Sequence, residues 1–173
     1  MKNDLPSNRT ISVRYLAQAG LIAAVYVVLT LVFAPISFSA IQVRISEVLT
    51  ILPIFLPSAI PGLFLGCLIS NLLGSGLILA DIIGGSLVTL VAACLTYLLR
   101  KKSPWLAPVP PIICNALVIP FILYYGYGFV DDAIPFMMLT VGIGQVIACG
   151  VLGMAFYFSL KKLAPNIFHS NNS

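Results

Sequence analysis

The sequence predicts an all-α membrane protein, a bundle of six transmembrane helices with both termini cytoplasmic. Three observations carry this. Of 173 residues, 60% are hydrophobic and only 8% charged, and the mean hydropathy is +1.09, far from a soluble globular domain. Long stretches contain no Lys, Arg, Asp or Glu at all. The basic residues recur where a chain crossing the bilayer an even number of times would return to one side.

The charge-free stretches are residues 15–34, 48–80, 82–99, 103–130 and 133–160. A helix crossing the bilayer needs about 20 residues. Residues 48–80 exceed one crossing and are broken by Pro53, Pro57, Pro61 and Gly62, so they divide into two helices. Helices are therefore expected near residues 15–34, 41–56, 60–78, 81–99, 106–125 and 135–160. They form a single membrane domain over residues 1–173, with polar tails at about 1–14 and 163–173.

Six crossings put Lys2, Arg9, Arg14, the Arg100-Lys101-Lys102 cluster and Lys161-Lys162 inside, and Asp131 and Asp132 outside. Five would split the basic clusters. Trp105 then suits the inner aromatic belt, and Tyr124, Tyr125 and Tyr127 the outer one. The start MKNDLPSNRTISVR leads into an apolar run too long for a signal peptide, so the N-terminus is expected to stay. Cys67, Cys94, Cys114 and Cys149 show neither CxxC nor Cys/His spacing and read as small core residues. His169, in the tail IFHSNNS, reads as solvated.

Against this apolar background the stretch SAIQVRISEVLTILP is anomalous. It places Gln42, Arg44 and Glu47 at the outer start of the second helix. Asn71 falls near the outer end of the third helix, Asp81 opens the fourth, and Asn115 and Gln145 lie within the fifth and sixth. Residues arriving at one depth from five helices are what a solute pocket open to the outside requires. A charge in the membrane costs about 2.5 to 3.5 kcal/mol on insertion scales, which makes a functional site the default reading. Two bland readings stand beside it. Arg44 and Glu47, at i and i+3, can simply neutralise each other, and the amides can be interhelical hydrogen bonds. The first helix adds Ala19 and Ala23, four apart, with Gly20 and Ala24 in parallel register. Such small-residue faces admit a second helix, from inside or outside the bundle.

Several classes are disfavoured. There is no GxxxxGK[ST] loop and no room for an ATPase domain. There is no HExxH and no intramembrane His, so an enzyme is not expected. No cofactor, metal or nucleic-acid partner is indicated. A stand-alone proton-coupled carrier using Glu47 or Asp81 stays open.

The segments FSAIQVRISEVLTILPIFLPSAIPGLFLGCLISNLLG and DIIGGSLVTLVAACLTYLLRKK resemble the queuosine precursor transporter family, QueT, whose members are substrate-binding S components of energy-coupling factor (ECF) transporters. The resemblance implies a multi-pass protein of the bacterial plasma membrane that captures a vitamin-like solute outside. It also implies docking on a membrane scaffold subunit with two cytoplasmic ATPases, an AxxxA face being the docking surface, matched here by Ala19 and Ala23. The implied ligand is a 7-deazaguanine base such as 7-aminomethyl-7-deazaguanine or queuine. Related S components take other small vitamins, so the ligand rests on the resemblance alone.

Overall fold

A computed structural model describes residues 12–38, 42–128 and 133–163. The expectations for Lys2, Arg9, Asp131, Asp132 and His169 lie outside the described residues. Among the described residues every regular element is helical. Four helices are long and apolar enough to cross a membrane: α1 (Val13–Val32), α3 (Ala80–Leu99), α4 (Pro104–Gly126) and α5 (Ile134–Leu163). Two apolar helices are shorter, Ile45–Ile54 and α2 (Ala59–Gly74).

The second helix differs from expectation. It is a 3₁₀ helix of ten residues, Ile45–Ile54, where an α-helix over 41–56 is predicted. Runs beyond a few residues are uncommon for 3₁₀ geometry, but its rise of about 2.0 Å per residue stretches ten residues to about 20 Å. It is buried nearly all round, from Ser46 to Phe55. It is thus the central column of the bundle, with α1, α2, α3 and α5 packed against it.

Neighbouring contacts fix the directions. Tyr15 and Gln18, early in α1, meet Pro57 and Ser58, whereas Tyr26 and Thr30, late in α1, meet Glu47 and Ser46. The column therefore runs antiparallel to α1. Helix α2 returns parallel to α1: a Cβ on Gly62 would lie 2.8 Å from the Ala19 carbonyl oxygen, and one on Gly66 2.8 Å from Tyr26 Cβ. Thr96 bonds the Ala107 carbonyl at 3.1 Å near one end of the α3–α4 pair, and Gly84 faces Ile122 near the other.

The glycine contacts bear on the small-residue face of α1. Ala19 and Ala23 are buried at the α1–α2 crossing, where their carbonyl oxygens lie against Gly62 and Gly66. The outward small register of α1 is Gly20 and Ala24, with Ala17, all exposed.

Along the column the two halves differ. From Leu49 to Phe55 it is packed in a dry core with Ile22, Leu63, Met154 and Tyr157, and Phe55 stacks on Tyr157 at 5.4 Å. From Gln42 to Glu47 the buried residues are mostly polar.

Candidate functional site

Gln42, Arg44, Glu47, Asn71, Asp81, Asn115 and Gln145 are all buried, none more than 7% exposed. Helix irregularities coincide with them. Glu47 sits in the 3₁₀ column, Asp81 in a π-helical opening turn of α3 (Ala80–Gly85), and Gln145 immediately before a π-helical stretch of α5 (Val146–Leu152). Such interruptions free backbone groups inside a membrane protein and recur at functional sites.

The partners differ from those the spacing suggests. Arg44 and Glu47 do not form an ion pair. Arg44 instead faces Asp81, Nη2 to Oδ2 at 4.0 Å, and its guanidinium lies 5.1 Å from the Phe38 ring centroid, within cation–π range. In 3₁₀ geometry Glu47 turns toward α1, where Tyr26 Oη donates to its Oε1 at 2.5 Å. Asp81 is held a second time by Tyr127 Oη at 2.7 Å. Burial, reinforced by the Asp81 carboxylate, pushes the Tyr127 phenol above its ordinary range, so it remains a donor at physiological pH.

Asn71 joins this group by donating Nδ2 to the Asp81 carbonyl at 2.8 Å. Gly85 makes room for the pair, since a Cβ there would lie 2.7 Å from Asp81 Oδ1 and 3.0 Å from Asn71 Nδ2. Asn115 lies against the Glu47 carboxyl as a weak donor at most, its Nδ2 falling outside good hydrogen-bond geometry. Gln145 is apart from the Arg44–Asp81 group. It accepts from Cys149 at 3.1 Å, and Thr50 links Cys149 to the column through the Glu47 carbonyl, at 2.6 Å from its hydroxyl. Gln42 is wedged by its carbonyl against Gly144, where a Cβ would collide with it.

Four residues serve the cluster as donors or acceptors without having been expected there: Tyr26 and Thr89, and also Cys67 and Tyr127, which the sequence reads as a small core residue and an aromatic-belt residue. Tyr26 stands one turn beyond Ile22 on the buried face of α1, a spacing that marks it as inward but not as a partner of Glu47.

The cluster also contains four buried polar atoms without a hydrogen-bond partner: Arg44 Nε, Glu47 Oε2, Asn71 Oδ1 and Asn115 Nδ2. Two can donate and two can accept. By contrast, grooves of about 360 and 300 Å³ between α4 and α5 and between α3 and α4 are apolar and lined by exposed residues such as Ile143 and Val91, as a lipid-facing surface should be.

Comparison with curated proteins and with solved structures gave no match. The model of one family, described as QueT transporter, matches residues 16–162, nearly the whole chain. Its apolar helices and buried polar centre are those of a membrane transporter, and the chain belongs to the QueT transporter family.

Proposed function

We propose that the chain is the substrate-binding S component of an ECF-type importer in the bacterial plasma membrane, capturing a 7-deazaguanine base for delivery with a scaffold subunit and two ATPases. The observation that carries a ligand site is the set of four buried, unpartnered polar atoms on Arg44, Glu47, Asn71 and Asn115. An unsatisfied buried polar group costs about 1 to 3 kcal/mol. Four converging in one cluster indicate a missing partner rather than a finished scaffold.

The chemistry of that partner follows from the atoms. The ligand's amine suits Glu47 Oε2, an N–H of a guanine-like edge suits Asn71 Oδ1, and the acceptors of the base, its carbonyl oxygen and a ring nitrogen, suit the donors of Arg44 and Asn115. With Arg44, Glu47 and Asp81 ionised the cluster has one net negative charge, matched by the amine of 7-aminomethyl-7-deazaguanine. Asp81 is already engaged by Arg44 and Tyr127, which leaves Glu47 as the carboxylate for the ligand. In this reading the bundle crosses the membrane six times, the two short helices included, with both termini inside. The scaffold subunit docks on the exposed Gly20–Ala24 register of α1.

Mass spectrometry of small molecules retained by the gently purified protein tests the ligand class: a 7-deazaguanine base should co-purify and be lost from Glu47→Gln. Retention of a different vitamin would reassign the substrate. The alternative, a stand-alone proton-coupled carrier using Glu47, predicts uptake of the base by vesicles containing this chain alone; the S-component reading predicts uptake only when scaffold and ATPases are added.

A further inference from the structure

Cys67, fully buried on α2, lies at the centre of the polar cluster. Three donors meet its sulfur. Arg44 Nη1 approaches to 3.7 Å and Asn71 Nδ2 to 3.6 Å, while Thr89 Oγ1, at 3.4 Å, shares its hydrogen with the Gly85 carbonyl at 3.1 Å. Thiol sulfur is a weak acceptor. In a dry interior, a guanidinium and an amide gain far more from an oxygen or nitrogen in the same place. The two longest-reaching side chains also each retain an unpartnered atom, Arg44 Nε and Asn71 Oδ1, on residues only 6% and 0% exposed. Asn71 Nδ2 has one hydrogen on the Asp81 carbonyl at 2.8 Å and turns the other to the sulfur, so Asn71 and Arg44 each direct one donor at an atom that satisfies it poorly.

We propose that Cys67 is a placeholder acceptor: in the empty protein its sulfur occupies the Arg44 and Asn71 donors, and a carbonyl oxygen of the ligand takes them over on binding. This rests on the reading of the cluster as a base-binding site. The exchange is one of hydrogen bonds only, with no covalent step. A cysteine needed only for packing stabilises empty and loaded protein alike. A placeholder stabilises the empty protein alone, because the loaded one has released it. Removing the sulfur should therefore tighten binding, whereas removing an ordinary ligand contact weakens it.

The test is calorimetric titration of 7-aminomethyl-7-deazaguanine into the full chain, with the melting temperature of each empty protein, for wild type, Cys67→Ala, Cys67→Val and Cys67→Ser. Cys67→Ala and Cys67→Val should melt earlier when empty and bind about three- to tenfold tighter, the equivalent of roughly one weak hydrogen bond. Cys67→Ser, which restores an acceptor, should return both values toward wild type. Cys67→Val fills the volume of the thiol, so it decides the question if Cys67→Ala does not fold. Unchanged or weaker binding by the variants overturns the placeholder and leaves the proposed function standing. If wild type does not bind the base, the substrate reading falls instead, and the placeholder is decided on the empty protein. Melting shifts of Cys67→Val and Thr89→Val should then combine non-additively, as for two members of one network; additive shifts overturn it.

Discussion

At the scale of single residues, what each buried polar side chain touches decides what its substitution should do. Arg44, Glu47, Asn71, Asp81 and Asn115 are conspicuous because each is costly in a membrane. The Arg44–Asp81 pair joins residues far apart in sequence, and no local spacing encodes it. Tyr26 and Cys67 pass for core residues in sequence because both are largely apolar. The pairing bears on the strongest residue-level prediction. Glu47→Gln keeps shape but removes the charge that meets the ligand's amine, so binding of 7-aminomethyl-7-deazaguanine should weaken by about 1.5 to 3 kcal/mol, roughly ten- to a hundredfold. The neutral parent 7-deazaguanine should be affected much less. Because Arg44 pairs with Asp81 and not with Glu47, this variant should keep a near-wild-type melting temperature, whereas Asp81→Asn should melt early by leaving a buried guanidinium without its counter-charge. An early-melting Glu47→Gln that still prefers the amine would sink the assignment of Glu47 to the ligand.

At the scale of elements, helix existence was legible from charge-free length, and helix type was not. The column ISEVLTILPI is apolar on nearly every side, so a period of 3.0 leaves no different mark from one of 3.6. The small-residue faces of α1 were legible as faces, but Ala19 and Ala23 turn inward, on the side where their carbonyls, Ile22 and Tyr26 lie against Gly62 and Gly66 of α2. Ala23→Trp should therefore impair folding, whereas Ala24→Trp, on the exposed register, should abolish uptake by the assembled transporter with base binding intact. Normal uptake by Ala24→Trp would remove that face as the docking surface. Gly144 supplies a further test of how the column is seated. A methyl there meets the Gln42 carbonyl, so Gly144→Ala should destabilise by about 1 to 3 kcal/mol, the usual cost of overpacking. Gly20→Ala, with open space around it, should fall within about 1 kcal/mol of wild type in thermal melting.

At the scale of the whole molecule, the basic residues at Arg14, Arg100–Lys102 and Lys161–Lys162 give the proposed orientation, with the polar cluster toward the outer face. Introduced cysteines report on it directly. Relative to a background lacking Cys94, a membrane-impermeant maleimide should label Leu77→Cys, in the exposed turn between α2 and α3, on intact cells, and Lys101→Cys or Lys162→Cys only after permeabilisation. Labelling at 101 on intact cells would reverse the orientation. The dry half of the central column has a consequence of its own. Between Leu49 and Phe55, side chains from α1, α2 and α5 close around the column, and Phe55 and Tyr157 stack across its far end. Beyond Glu47 the described helices thus form a solid floor and not a tube. Anything held beside Glu47 has no drain through the floor to the basic end, so unloading calls for tipping the vessel or prising its walls apart. A closed floor is also an electrical insulator: planar bilayers containing the purified chain should show no ion current above background, with or without the base, and a steady conductance would mean that the floor leaks.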